Sequence, residues 1–108
     1  MATVTTEQEL DAALGKSKGA TAVLFHATWC PFCRSFLPTF NATLNGQQGV
    51  AGLEAVIDDE SNPLWTRFAI EVVPTVLVFE NGAVKERIDG RPGVGLTSQD
   101  LGALLARR

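Results

Sequence analysis

The feature that most constrains the fold is an apolar run, residues 20–27, which leads through a short turn into a segment of helical periodicity. An almost continuously apolar run of this length is typical of a parallel strand that is covered on both faces. The helical segment begins at Pro31, which suits the first position of a helix because no N–H donor is needed there. The sequence therefore predicts a buried strand joined to a helix by a tight turn.

That turn holds the only two cysteines, Cys30 and Cys33, in the spacing Cys-x-x-Cys. The start of a helix presents unpaired N–H groups and the positive end of the helix dipole, and both favour an anion. A cysteine placed there is therefore disposed to react as a nucleophilic thiolate. Cys30 is expected at the exposed start of the helix, and Cys33 one turn further in, close enough to Cys30 to form a disulfide. We predict that the pair is redox-active.

Two other roles for the cysteines explain the spacing less well. A disulfide that closes so short a loop restricts the unfolded chain by only roughly 2 kcal/mol, so a structural bridge would contribute little. A zinc site needs about four ligands, whereas Cys30, Cys33 and the sole histidine, His26, supply at most three. We expect no metal in a single chain, although two chains could share one.

Composition excludes several classes of protein. A length of 108 residues predicts a single domain over residues 1–108, and a hydrophobic content of 45% suits a soluble core. No apolar run has the length of a membrane span, and no signal peptide is visible. The nine basic residues are scattered and the formal net charge is −3, so neither nucleic acid nor membrane is an expected partner. These features predict a cytoplasmic protein.

The remaining segments alternate between strand and helix patterns. Strands are predicted at residues 2–5, 20–27, 53–57, 75–80 and 83–89, the last two joined by the hairpin signal Asn81-Gly82. Helices are predicted after a capping box at Thr6, with Gly15 as the stop of that helix, at Pro31, after the acidic turn 58–63, and after a cap at Thr97 or Ser98. With right-handed crossovers between parallel strands, this order predicts a three-layer α/β/α sandwich with a central mixed β-sheet.

The chain resembles the thioredoxin family over nearly its whole length. Four features carry the resemblance: Trp-Cys-x-x-Cys followed by a basic residue at positions 29–34, Pro38 in the next helix, Val73-Pro74-Thr75 before a strand, and Phe-Glu-Asn-Gly at positions 79–82 leading to Gly90. The resemblance implies the thioredoxin fold and a cysteine pair that exchanges electrons with protein disulfides. It also implies that no cofactor is bound and that a separate reductase recharges the pair.

The resemblance further implies a substrate-binding surface beside the cysteines. Val73-Pro74 is expected to be a cis bond that leaves the Val73 backbone free to pair with an extended substrate segment. Phe32 is expected on the exposed rim of the helix start. The other predicted substrate contacts are Trp29, Pro31 and Gly90, whereas Trp65 and Phe68 are expected in the core.

Some positions depart from the family pattern. Pro31-Phe32 stands where thioredoxins usually carry Gly-Pro, and a proline at the first of these positions resembles glutaredoxins and disulfide-introducing relatives. Leu24 replaces the buried aspartate of thioredoxins, Glu54 replaces the lysine that faces it, and His26 replaces an aromatic residue. Glu54 and His26 are therefore candidates for proton transfer or for tuning the cysteines. The alternative is that they simply pair with each other.

We predict a monomeric thiol–disulfide oxidoreductase that reduces protein disulfides, with attack by Cys30 and resolution by Cys33. Two alternatives stay open. One is an oxidase or isomerase of the same fold, because the direction of exchange depends on the reduction potential. The other is a non-enzymatic binding module.

Overall fold

Helices and strands follow one another along the chain in the predicted order. The computed structural model describes all 108 residues. The elements are β1 Ala2–Val4, α1 Glu7–Lys16, β2 Ala20–His26, α2 Pro31–Asn45, β3 Val50–Val56, α3 Pro63–Arg67, β4 Thr75–Glu80, β5 Ala83–Asp89 and α4 Ser98–Ala106. None of the four helices combines the length and apolar character needed to cross a membrane.

The five strands form one mixed sheet in the order β1-β3-β2-β4-β5. The strands β1, β3 and β2 are parallel, whereas β4 runs antiparallel to β2, and β5 antiparallel to β4. Within this sheet Leu24 of β2 lies opposite Glu54 of β3, as the family resemblance implied. The predicted mixed sheet is therefore confirmed.

Two cores, one on each face of the sheet, make the three layers. On one face, side chains of α2 and α4 pack against the sheet; they include Phe36, Phe40, Leu44, Leu101 and Leu104. On the other face, Leu10 of α1 and Leu64 of α3 pack against side chains that include Phe25 and Leu77. Burying each such side chain contributes about 1.5–3 kcal/mol to folding, so covering both faces stabilises the sheet.

Local caps set where two of the helices start. The Thr6 hydroxyl accepts a hydrogen bond from the N–H of Glu9, and the Thr97 hydroxyl accepts one from the N–H of Asp100. Both motifs are complete capping boxes, and each cap contributes about 1 kcal/mol. Thr97 rather than Ser98 is therefore the cap of α4.

The strands β1, β2 and β3 each end one residue earlier than predicted, and two further boundaries differ from the sequence-based expectation. The strand β3 starts at Val50 rather than at residue 53, because Val50 to Gly52 pair with β2 despite the weak strand preference of Ala51 and Gly52. The helix α1 continues past Gly15 to Lys16 and is capped at Ser17, whose N–H donates to the Leu14 carbonyl. Both shifts reflect hydrogen bonds that residue type alone does not encode.

Candidate active site

Cys30 is the N-cap of α2. Its backbone is extended, with φ −96° and ψ 116°, and Pro31 occupies the first turn. The Cys33 N–H donates a hydrogen bond to Cys30 Sγ over 3.3 Å. A sulfur that receives an N–H bond at the positive end of a helix dipole is stabilised when it carries negative charge. The turn therefore supports a nucleophilic Cys30.

Cys33 lies in a different environment, inside the first turn of α2. Its side chain is completely buried, and both cysteines are unbridged. Burial, together with the hydrogen bond to Cys30, raises the pKa of Cys33 to about 12. The buried sulfur is thus a thiol at neutral pH. This asymmetry suits Cys30 to attack first and Cys33 to act second.

Cys30 is less accessible than the sequence suggested. We expected an exposed thiol at the helix start, but only 5% of the residue is exposed. The reason is a tertiary contact, since the Cys30 thiol lies 3.6 Å from the Val73 carbonyl oxygen and packs beneath that segment. The Val73 segment therefore covers part of the Cys30 side chain.

The Val73-Pro74 peptide bond is cis, as the family resemblance implied. The Pro74 carbonyl accepts a hydrogen bond from the N–H of Gly90 at 2.9 Å. By contrast, the Val73 N–H has no hydrogen-bond partner, and the only hydrogen bond to the Val73 carbonyl is donated by the Cys30 thiol. Both polar groups of Val73 are therefore available to an extended chain that lies along this segment.

Gly90 holds the proline segment in place through a close approach of two backbones. A Cβ atom at position 90 would lie 2.6 Å from the Pro74 carbonyl oxygen, which is too close for any side chain. Gly90, directly after β5, therefore supports the cis-proline segment beside the cysteines, and its own N–H is already bonded to the Pro74 carbonyl.

Two aromatic side chains flank the cysteines at the surface. Trp29 is 52% exposed and Phe32 is 42% exposed. Phe32 contacts the turn at Gly95, where an added Cβ would meet Phe32 Cβ at 2.9 Å. Val94, also exposed, stands in the same turn and extends this apolar rim. Sequence reasoning missed Val94; the available signal was an apolar residue in a Gly- and Pro-rich turn just after Gly90.

His26 and Glu54 lie together in the interior, next to each other on adjacent strands. His26 Nε2 and Glu54 Oε1 are 3.1 Å apart, and both side chains are largely buried. Neither makes a hydrogen bond to a cysteine sulfur, and the charges that affect the pKa of Cys33 are those of Cys30 and Arg34. The structure thus joins the two candidates to each other rather than to the cysteines.

The aspartates of the acidic turn after β3 form hydrogen bonds that stabilise the turn. The Asp58 carboxylate accepts hydrogen bonds from the N–H and hydroxyl of Thr28, and Asp59 accepts from the N–H and hydroxyl of Ser61. These bonds lower the pKa of both aspartates. No three His, Cys, Asp or Glu side chains are grouped closely enough to hold a metal ion.

Comparison with known proteins agrees with this architecture. The chain is 32% identical over 87 residues to chloroplastic thioredoxin M5 of Oryza sativa subsp. japonica, covering 81% of this chain and 51% of that protein. It is 34% identical over 79 residues to protein disulfide isomerase-like 2-3 of the same organism, covering 73% of this chain and 18% of that protein. The chain thus spans about half or less of the length of these curated relatives.

A solved thioredoxin structure from Plasmodium falciparum superposes with a TM-score of 0.83 at 21% identity, covering 99% of this chain and 98% of that one. At this identity the likeness shows the fold alone. The family model described as Thioredoxin matches residues 1–99, a range that includes both cysteines and the cis-proline segment. The chain therefore belongs to the thioredoxin family.

Proposed function

We propose that this protein is a thiol–disulfide oxidoreductase that reduces disulfides in protein substrates. The observation that carries the proposal is the asymmetric cysteine pair. Cys30 Sγ accepts the Cys33 N–H at a helix start, while Cys33 is a fully buried thiol with its pKa raised to about 12. The free backbone of Val73 beside Cys30 supplies a place for an extended protein segment.

The reaction takes two exchange steps. The Cys30 thiolate attacks one sulfur of the substrate disulfide, a Cys30–substrate bond forms, and the second substrate sulfur leaves as a thiolate that takes up a proton. Cys33 then loses its proton and attacks Cys30 Sγ. The Cys30–Cys33 bond forms as the first substrate sulfur leaves and is protonated. Two electrons have moved from the enzyme to the substrate, so no bound cofactor is required.

A separate reductase must return two electrons to the Cys30–Cys33 disulfide after each cycle. We place this cycle in the cytoplasm, because a dithiol enzyme needs a reducing compartment to be recharged. We also propose that one chain suffices, since both cysteines and the Val73 segment belong to the same chain. Sedimentation of the reduced protein at several concentrations tests the monomer, and cell fractionation tests the location.

The division of labour between the cysteines gives the direct test. We expect Cys30→Ser to abolish disulfide reduction, because it removes the attacking sulfur. Cys33→Ser should accumulate mixed disulfides with substrate, because the resolving thiol is gone. Mass spectrometry of adducts after incubation with a protein disulfide measures this. Equal trapping by the two variants would contradict the assignment.

A second candidate is an oxidase or isomerase, favoured by the match to a protein disulfide isomerase-like relative. Its chemistry uses the same sulfurs in the opposite direction, so the reduction potential separates the two functions. An insulin-reduction assay with dithiothreitol separates either enzyme from a binding module, because a module would not accelerate precipitation of the insulin chains.

A further inference from the structure

We propose that an acidic aromatic cleft next to Cys30 binds a basic side chain of the substrate, so that disulfides flanked by lysine or arginine are preferred. The cleft has a volume of about 330 Å³ and is lined by Trp29, Glu60, Trp65 and Glu71. This inference rests on the proposed function and names its substrate class. We call this surface the Trp29–Trp65 cleft.

The cleft lies between two segments that the substrate must touch. Trp29 directly precedes Cys30, and Glu71 directly precedes the segment that leads to Val73 and Pro74. An extended chain advances about 3.3 Å per residue. A substrate that pairs with the Val73 backbone therefore carries the side chains within about two residues of its attacked cysteine past the cleft.

Both indole rings are oriented by hydrogen bonds from their N–H groups. Trp29 Nε1 donates to the Asp58 carbonyl over 3.1 Å, and Trp65 Nε1 donates to the carbonyls of Ile57 and Asp59 over 3.2 Å. Because these hydrogen bonds occupy the N–H edges of both rings, the ring faces remain available to contact a ligand. The face of tryptophan attracts lysine and arginine cations more strongly than that of any other aromatic side chain.

Trp65 was expected in the core, and the structure places it at the boundary. Trp65, a residue of α3, packs against the core but is only partly buried, so the rest of its surface lines the cleft. Phe68 is also only partly buried, but its ring lies against the core, 5.5 Å from the rings of both Phe25 and Phe79.

The charges around the cleft are predominantly negative. The carboxylates of Glu60 and Glu71 are exposed and make no ion pair or side-chain hydrogen bond. Nearby, Asp58 and Asp59 are held as anions by their bonds to Thr28 and Ser61. A cationic side chain in the cleft would therefore meet two free carboxylates and two aromatic faces.

No basic residue of the chain already occupies this place. Arg67, on the adjacent helix α3, is held by Asp11 and Glu7. Arg34, from α2, donates to the Thr28 carbonyl. None of the four residues that line the cleft is basic. The free carboxylates thus remain available to a cation from outside the chain, and this charge complementarity selects a basic side chain.

The test uses disulfide-linked peptides that differ only at one position two residues from the cysteine, carrying lysine, glutamine or glutamate. The measured quantity is the second-order rate constant for oxidation of the pre-reduced protein. Each value is divided by the rate constant with which dithiothreitol reduces the same peptide, because a nearby charge also alters the intrinsic reactivity of the disulfide. We expect the lysine peptide to react about 3- to 10-fold faster than the glutamine peptide, and the glutamate peptide to react slowest.

The double variant Glu60→Gln/Glu71→Gln should reduce the lysine-to-glutamine ratio to below about 2. The matched control is Glu80→Gln/Glu86→Gln on the β4–β5 hairpin, which changes the net charge equally and should keep the ratio. About 0.5 M sodium chloride should shrink the ratio in the unsubstituted protein. Equal normalised rates for the three peptides, or an equal loss of preference in the control, would overturn the inference. A protein that reacts with none of the peptides would instead overturn the proposed function.

Discussion

At the scale of single residues, the two cysteines differ in what surrounds each sulfur. Because burial raises the pKa of Cys33 from 9.0 to about 12, the folded protein keeps this proton between those values, while the unfolded chain loses it. The contribution of the Cys33 thiol to the free energy of unfolding is therefore fully present below pH 9 and declines as the pH rises further. The expected loss is about 1.4 kcal/mol in the free energy of unfolding per pH unit.

Urea unfolding of the reduced protein between about pH 8 and pH 10.5 measures this loss. The variant Cys33→Ala should show a flatter dependence over the same interval, because it has no thiol to titrate. Comparing the two slopes, rather than the absolute stabilities, removes the effect of the cavity that alanine leaves. Parallel slopes would show that Cys33 is not the group responsible.

The role of Glu54 stays a prediction, and it too belongs to the residue scale. If the carboxylate serves as proton acceptor for Cys33, through a water or through His26, Glu54→Gln removes that capacity and keeps the shape. We expect the pH profile of mixed-disulfide resolution to flatten or move, with the initial attack by Cys30 much less affected. Stopped-flow kinetics of the two steps measure this. An unchanged profile would leave Glu54 as the structural partner of His26.

At the scale of elements, the start of β4 and the end of β5 must approach closely for the proline segment to face the cysteines. In Gly90→Ala the new methyl group would lie 2.6 Å from the Pro74 carbonyl oxygen, so the segment must move. We expect a loss of about 1–3 kcal/mol in the free energy of unfolding, together with slower attack on substrate. Urea denaturation and single-turnover rates measure the two effects.

Gly102 in α4 provides the matched control. A Cβ there meets no atom within 4 Å, so Gly102→Ala should raise the free energy of unfolding by about 0.5–1 kcal/mol through helix propensity. Its rate of attack on substrate should not change. Equal stability changes in the two variants would mean that the contact between Gly90 and Pro74 does not constrain the segment.

At the scale of the whole molecule, the reduction potential expresses the difference in stability between the dithiol and disulfide forms of the fold. Leu24 removes the acid that would oppose a thiolate, and Pro31-Phe32 changes the packing beside the sulfurs. Stabilising the reduced form makes the couple more oxidising. We therefore expect a potential less negative than that of a Gly-Pro thioredoxin, and a decrease when Pro31-Phe32 is changed to Gly-Pro.

Equilibration with glutathione measures both potentials. The difference between the unfolding free energies of the oxidised and reduced forms should change together with the reduction potential, by about 1.4 kcal/mol for every 30 mV. A potential that stays constant or rises on the Gly-Pro exchange would refute the prediction. The measured value also decides between the reductase and the oxidase or isomerase alternative.

The sequence by itself determined the features that depend on neighbours a few positions away. Local hydrogen bonds and backbone preferences explain four such features: the capping box at Thr6, the start of α2 at Pro31, the turn at Asn81-Gly82 and the position of Cys33 one turn after Cys30. The family resemblance added the cis proline and the prediction that position 54 faces position 24. Most of the fold, and the placement of both cysteines at the start of α2, were therefore predictable.

Only the tertiary structure decided what lies around the sulfurs. Cys30 is covered by Val73, which is 43 positions away, and Glu54 reaches His26 across adjacent strands. The Trp29–Trp65 cleft likewise joins the turn before α2 to the helix α3. These contacts depend on how the chain crosses the sheet, so burial, pairing and the shape of the substrate surface emerge only when the strands are assembled.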